Sequence, residues 1–295
     1  MSSLATRVVT GYLRLTALRR WTSTASGEAV LAAEKGSPAV PLRVQVGRRV
    51  EQRLVGGFVV ERLHPRGGVR APGAVVYLHG GAYVNQVVRQ HWELAADAAD
   101  TTGRVVDVVL YGLAPQHHAL EAVALVAEVL AGLDEEFGGA PVHLAGDSAG
   151  AGLALVAALQ RREAGLAQPA GLVLVAPWLD LSMSNPEVDA IEPDDPWLRR
   201  VGLRPAAAAW AGDLDLRDPR VSPLFADLAG LAPVTVFVGT RDICLPDARL
   251  LAARLRAAGG VVVLHEGAGQ PHVYPVLPTP EGRAARRDLL AALDG

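Results

Sequence analysis

The stretch "HLAGDSAGAGLALVAAL", His143 to Leu159, decides how the rest of the chain is read. An apolar run, "VHLAG" from Val142, leads into it, and an alanine- and leucine-rich run leads out. The first has the character of a strand and the second that of a helix. Glycine is costly inside either element, yet Gly146 and Gly150 stand symmetrically about Ser148. Gly146-Asp147-Ser148-Ala149-Gly150 fits the pattern G-x-S-x-G, in which a serine occupies a strained strand-to-helix turn with its hydroxyl exposed above the sheet. Strand and helix backbones pass so close at such a turn that a side chain two residues before or after the serine would collide. The following helix aims its N-terminal amides at the same spot, which favours developing negative charge. An incidental serine in a glycine-rich turn is the alternative, and the flanking strand and helix argue against it.

Working outward, short β-branched runs alternate with helical patterns. The expected strands are "LRVQV" from Leu42, "FVVERL" from Phe58, "AVVYLH" from Ala74 and "VVDVVLY" from Val105, then "VHLAG", "LVLVAP" from Leu172, "VTVFVG" from Val234 and "VVVLHE" from Val261. Helical patterns cover His91 to Thr102, Ala119 to about Phe137, Ala149 to Glu163, Pro246 to Ala258 and Pro280 to Leu293. This alternation predicts an open, mostly parallel α/β sheet flanked by helices. The two strands before Ala74 lack an intervening helix and fit an antiparallel edge. Residues 1–40 and about 180–231 fall outside the rhythm. The second region, rich in Pro, Asp and Trp, has the length of a lid or binding loop. Both are expected to form a cap: an N-terminal segment over 1–40, and an insertion at about 180–231 within a main domain of residues 41–295.

Composition narrows the function. The chain has 295 residues, half of them hydrophobic, and a formal net charge of -3 with scattered charges. No basic stripe marks a nucleic-acid binder. One cysteine, Cys244, permits no internal disulfide and fits a reduced, cytoplasmic compartment. No apolar run reaches the roughly 20 residues of a membrane span. The basic N-terminus lacks a continuous apolar core and a cleavage site, so a helix packed on the main body is preferred to a secretory signal or a transit-like peptide.

A serine hydroxyl needs a base. His64, His91, His117 and His118 precede the turn, and His143 lies within a strand. In the chain order Ser, Asp or Glu, His, only His265 and His272 are eligible. His265 would be fixed in the last strand, whereas His272 follows in the loop "EGAGQPHVYP", which can reach back over the serine. The orienting acid belongs at the C-terminal end of the preceding strand, where "VTVFVGTRD" places Asp242. Asp247 is the rival, but an acid in the first turn of a helix is adequately explained by the helix dipole. Asp213, Asp215 and Asp218 read as solvated. "YLHGGAY", Tyr77 to Tyr83, follows a strand with adjacent glycines that free backbone amides to turn inward. The amides of Gly80, Gly81 and Ala149 are the expected oxyanion donors. His79 and Asp147 are supporting residues, His79 by holding the loop through a hydrogen bond.

"HGGAY", "YGLAP" from Tyr111, "GDSAG", "APWLDLS" from Ala176, "RDICLPDA" from Arg241 and "PHVYP" from Pro271 together resemble the α/β-hydrolase fold, and within it the hormone-sensitive-lipase-like bacterial esterases. The likeness spans Ala74 to the C-terminus and points to small carboxylesterases, acetylhydrolases and monoterpene lactone hydrolases. It implies Ser148, Asp242 and His272 as the catalytic triad, with Gly80 and Gly81 in the oxyanion loop. Two departures stand out: Ala82 replaces the family's usual third glycine, and Gln116-His117-His118 replaces Glu-His-Pro. The implied activity is hydrolysis of short- to medium-chain carboxylic esters, or lactones, through an acyl-enzyme, without metal or cofactor. An amidase or peptidase with the same triad, or a non-catalytic receptor, are the alternatives. Tyr83, Trp178, Met183, Trp197, Leu198 and Trp210 are candidates to line a substrate pocket, the bland reading of each being cap core. The strand near Val261 is an expected sheet edge that could pair two copies.

Overall fold

The computed structural model describes residues 2–295. Its sheet comprises β1 (Val50–Val55), β2 (Phe58–Leu63), β3 (Ala74–Leu78), β4 (Val105–Leu110), β5 (Val142–Asp147), β6 (Gly171–Val175), β7 (Val234–Gly239) and β8 (Val262–Gly267). The helices are α1 (Leu4–Thr16), α2 (Thr24–Ala32), α3 (Leu42–Gln45), α4 (Arg89–Thr102), α5 (Ala119–Phe137), α6 (Ala149–Glu163), α7 (Val188–Ile191), α8 (Arg200–Ala211), α9 (Leu245–Ala257) and α10 (Pro280–Asp294). The eight strands lie in the order β1-β2-β4-β3-β5-β6-β7-β8. β2 pairs antiparallel with both β1 and β4, and all other pairs are parallel. This is the α/β-hydrolase architecture the motifs imply.

Strand residues alternate between two apolar layers. Val76, Leu78, Leu144 and Leu174 face the layer that holds α5, α6 and α9. Val75, Tyr77, Ala145, Val173 and Phe237 face α4 and α10. Strands covered on both sides carry apolar residues at most positions, which is why β3, β4 and β5 were plain in the sequence. The five parallel pairings point the C-terminal ends of β3 to β8 the same way, and the loops that leave those ends carry the polar residues described below.

One expected strand is corrected. "LRVQV" alternates apolar and polar residues, yet Leu42–Gln45 forms a single helical turn after Pro41. Leu42 and Val46 are exposed and only Val44 is buried, so the alternation serves no sheet face. The first strand is instead β1, which begins eight residues further on. It is an edge strand without a buried residue, and its polar side chains bond sideways: Gln52 Nε2 donates to Glu61 Oε1 at 2.9 Å, and Arg53 pairs with the buried Asp107. The β1–β2 pair supplies the antiparallel edge.

Trp21, Ser37 and Pro41 ahead of β1, and Trp178, Trp197, Leu198 and Leu203 between β6 and β7, stand beside Ser148 at the C-terminal rim. α2 packs on α8 so closely that a β-carbon on Gly27 would overlap the Gly202 carbonyl, and one on Gly202 would overlap the backbone of Trp21. His118 Nδ1, in the departing Gln-His-His segment, bonds the carbonyl of Ala209 in α8 at 3.0 Å and ties the insertion to the body. Among the described residues no helix is long and apolar enough to cross a membrane.

Candidate active site

Ser148 sits between β5 and α6 with φ 50° and ψ -118°. A β-branched or bulky residue rarely tolerates such a backbone, and its surroundings hold it there. Its amide donates to the Val175 carbonyl at 2.8 Å, and its own carbonyl accepts from Trp178 N at 3.0 Å. A β-carbon on Gly146 would lie 2.6 Å from the Gly150 carbonyl carbon, and one on Gly150 would overlap the carbonyls of Leu78 and His79. The symmetric glycines are thus a consequence of backbone meeting backbone on both flanks of the turn.

His272 projects from the loop after β8 and Asp242 from the loop after β7. His272 Nε2 lies 2.9 Å from Ser148 Oγ, and His272 Nδ1 lies 2.9 Å from Asp242 Oδ2. All three side chains are buried. Asp242 Oδ1 accepts from Cys244 N at 2.9 Å, which fixes the carboxylate in its own turn. Burial pulls the His272 pKa down, but the charge and hydrogen bond of Asp242, with smaller contributions from Asp195 and Asp147, more than offset it and raise it above the ordinary histidine value. With Nδ1 donating to the carboxylate, neutral His272 presents a bare Nε2 to the hydroxyl, the state a general base requires. Asp242, Cys244 and His272 also offer three atoms within metal-ligand range of one another. The histidine and carboxylate atoms are already engaged, and burial with nearby carboxylates pushes the Cys244 thiol well up, so it stays protonated. That donor set fits proton transfer better than a metal ion.

The oxyanion side needs one correction. Gly80 N donates to Asp147 Oδ1 at 2.9 Å, so this amide is already spent and turned away from the serine. Gly81 and Ala82 border the cavity beside Ser148, and Gly80 does not. The amides free to converge there are those of Gly81, Ala82 and Ala149. Gly81, Ala82 and Tyr83 all have positive φ, 125°, 56° and 61°. Ala82 therefore holds a conformation that glycine would adopt freely, which is the physical content of its departure from the glycine pattern.

Asp147 and His79 brace this loop from below. Asp147 accepts from Tyr77 Oη at 2.5 Å as well as from Gly80, and pairs with His91 at 3.3 Å. Burial pushes its pKa up, but His91, Tyr77 and Gly80 outweigh that and bring it to about 2. His79 Nδ1 donates to the Gly80 carbonyl at 2.7 Å, and its ring stacks on Tyr111 at 4.6 Å. Burial, joined by the nearby His91, lowers its pKa to about 4, so it is neutral at pH 7.

A cavity of about 560 Å³ opens over Ser148 and His272. Trp178, Met183, Trp197 and Leu198 line it as expected, with Val188 and Leu203 from the insertion and Trp21 from the N-terminal segment. Trp197 meets the His272 ring edge-on at 5.8 Å. Tyr83 and Trp210 do not line it. They stack on each other at 4.1 Å with both rings almost wholly buried, so they pack the cap onto the body. Asp247 is a wall residue, buried and bonded to Asn185 at 2.8 Å. One residue beside the triad went unread in the sequence, Asp195 in the insertion. Its Oδ1 accepts from Trp197 N at 2.7 Å and Leu198 N at 2.9 Å, and its Oδ2 from Ile243 N at 3.0 Å. Burial and the Asp242 charge push its pKa up to about 6. Nothing in "EPDDP" distinguishes it from its exposed neighbour Asp194.

Parallel sheet, strained serine turn and imidazole within reach define the hydrolase class of α/β proteins. The family profile described as alpha/beta hydrolase fold matches residues 75–276. LipR of Mycobacterium tuberculosis, provisionally assigned as an acetyl-hydrolase, is 33% identical over 260 residues, covering 86% of this chain and 82% of its own. An acetyl-hydrolase of Streptomyces hygroscopicus is 35% identical over 218 residues, 72% of each chain. A solved esterase of the bacterial hormone-sensitive lipase family superposes with a TM-score of 0.80 at 29% identity, covering 100% of this chain and 98% of its own. The chain belongs to the alpha/beta hydrolase fold family, among its hormone-sensitive-lipase-like esterases.

Proposed function

We propose that this carboxylesterase-type hydrolase cleaves esters of short to medium acyl chains, or lactones, through an acyl-enzyme formed on Ser148. The observation that carries the reading is the unbroken chain of contacts from Ser148 Oγ through His272 to Asp242, with both links at 2.9 Å. His272 Nε2 takes the hydroxyl proton as Oγ attacks the ester carbonyl. The amides of Gly81, Ala82 and Ala149 receive the oxyanion, each such donor being worth about 3 kcal/mol in the transition state. The imidazolium, balanced by Asp242, then protonates the leaving alcohol. Water activated by the same nitrogen releases the acid and restores the serine.

The cavity supports the substrate class. Its walls are chiefly apolar, and its volume of about 560 Å³ suits a compact ligand. Comparing acetyl, butyryl, octanoyl and lactone substrates tests the preference, and an optimum at long acyl chains would contradict it. Ser148→Ala is expected to lower turnover by about 10⁴-fold or more with an unchanged melting curve. Retained activity would move the nucleophile elsewhere. β8 is an open sheet edge with Val263 exposed, which supports pairing of two copies across it. A monomeric mass by light scattering would remove that part of the reading.

A further inference from the structure

The first helix is built inside out. α1 turns Thr6, Thr10 and Leu13 toward the body, and much of its attachment is polar. Ser3 N and Oγ donate to the Glu281 carboxylate at 2.6 and 2.8 Å, and Thr6 Oγ1 donates to it at 2.9 Å. On the opposite side Leu4, Val8, Tyr12 and Leu15 are 70%, 64%, 65% and 66% exposed. Their spacing of i, i+4, i+8 and i+11 sets them in one stripe along the helix. A helix whose only task is to pack on a core carries its apolar stripe inward, so folding does not account for this one.

The charge carried by this segment of the chain is one-signed. Arg7 and Arg14 fall on one flank of it, Arg19 and Arg20 follow, and no acid precedes Glu28. All four arginines are exposed. Arg14 reaches only the Asp194 carbonyl and Arg20 only the Asn85 side-chain oxygen, and among the described residues none of the four meets a carboxylate. The same N-terminal segment walls the cavity with Arg20, Trp21, Ser37 and Pro41, and the next residue, Leu42, is 81% exposed.

We propose that α1 is a docking helix that seats the cap on an anionic lipid surface, and that esters dissolved in that surface are the substrates delivered to the cavity. Apolar side chains enter the boundary of the acyl region while guanidinium groups meet acidic headgroups. A second copy of the chain fits the stripe less well. A two-fold contact centred on it would bring Arg7 and Arg14 toward their own copies with no acid on the helix to pair them. Four side chains also fall far short of the roughly 20–30 residues per side of a stable interface. Only the delivery of substrate rests on the esterase reading; the docking does not.

The test is co-sedimentation of the purified full chain with vesicles of phosphatidylglycerol and phosphatidylcholine in equal parts, against phosphatidylcholine alone. The chain should bind the anionic vesicles about tenfold more tightly, and added salt should weaken that binding. Leu4→Ser/Val8→Ser/Tyr12→Ser/Leu15→Ser and Arg7→Gln/Arg14→Gln should each weaken it by about tenfold or more, with hydrolysis of a water-soluble acetate ester unchanged. The arginine pair removes no packed side chain, so it decides the case if the stripe variant fails to fold. Ser148→Ala should bind vesicles as the parent does, which separates failure of docking from failure of the esterase reading. No binding to anionic vesicles, or binding indifferent to both variants, overturns the proposal. So does a dimer in light scattering that the stripe variant abolishes, since the stripe would then be an interface between copies.

Discussion

At the serine turn, the constraints come from the sheet and from the segments that leave it directly. Gly146 meets Gly150, Gly150 meets the end of β3, and the Ser148 amide bonds the end of β6. Over the rim, α2 and α8 also meet through two glycines, Gly27 and Gly202, but these come from segments 175 positions apart by residue number and neither segment belongs to the sheet. Both contacts exclude a β-carbon. They differ in what stands behind them: the turn is backed by three paired strands, the cap by helix packing and a few side-chain bonds such as His118 to Ala209. A rigid rim under a separately fastened cap lets the cap vary without disturbing the proposed triad.

The largest effect expected from this contrast is at Gly150. Gly150→Ala forces a methyl group into the carbonyls of Leu78, the last residue of β3, and of His79 just beyond it. A loss of about 3 kcal/mol or more in chemical denaturation, or failure to fold, is expected. A native-like midpoint would break the comparison at its firmer end. Gly202→Ala should be milder, about 1–3 kcal/mol, because Trp21 and its segment can shift. It should raise KM for esters more than it lowers kcat, since Trp21 and Leu203 border the cavity while the triad does not touch α8. A fall in kcat with unchanged KM would show that the cap is coupled to the rim after all.

Asp195 is where such coupling has a visible route. Its carboxylate accepts amides from the insertion on one oxygen and the amide beside Asp242 on the other. Asp195→Asn keeps the shape but offers one acceptor oxygen, so it loses one side of this bridge and a negative charge near His272. That charge helps raise the His272 pKa. Activity requires neutral imidazole, so it should fall as pH drops through that raised value, with a midpoint above about 6.5 in the parent. Removing the Asp195 charge should move this acidic limb to lower pH and cut kcat by roughly three- to tenfold. A purely structural role would lower kcat and leave the limb in place.

The same contrast explains what could be read in the sequence. Ser148, Asp242 and His272 were legible because each follows a recognisable strand; chain order leaves only His265 and His272, and His265 belongs to β8 itself. The oxyanion loop was legible only to within one residue. Whether Gly80 or Ala82 turns its amide inward depends on backbone dihedrals and on the side chain of Asp147, neither of which leaves a mark on spacing. Tyr83 and Trp210 look like pocket aromatics until their stack is seen, because composition does not tell an inward ring from an outward one. β1 hid for the opposite reason, being a polar edge, while the alternation in "LRVQV" imitated a strand on a single exposed turn.

The smallest prediction sharpens the comparison from its permissive end. Gly132 lies within α5 on the exposed side, and a β-carbon there would meet nothing within 4 Å. Its φ is not positive, so alanine fits the backbone without strain. Gly132→Ala lowers the conformational freedom of the unfolded chain and restores helix propensity, and should stabilise the protein by about 0.5–1 kcal/mol. The same single methyl group would thus act with opposite sign at Gly150 and Gly132. The chemistry of the substitution is constant, so the difference between the two denaturation midpoints measures how much of the glycine usage at the rim is imposed by close backbone approach. If Gly132→Ala destabilised the protein as much as Gly202→Ala, helix α5 would hold a packing constraint that its exposed face does not account for, and the glycines of the turn would lose their special standing.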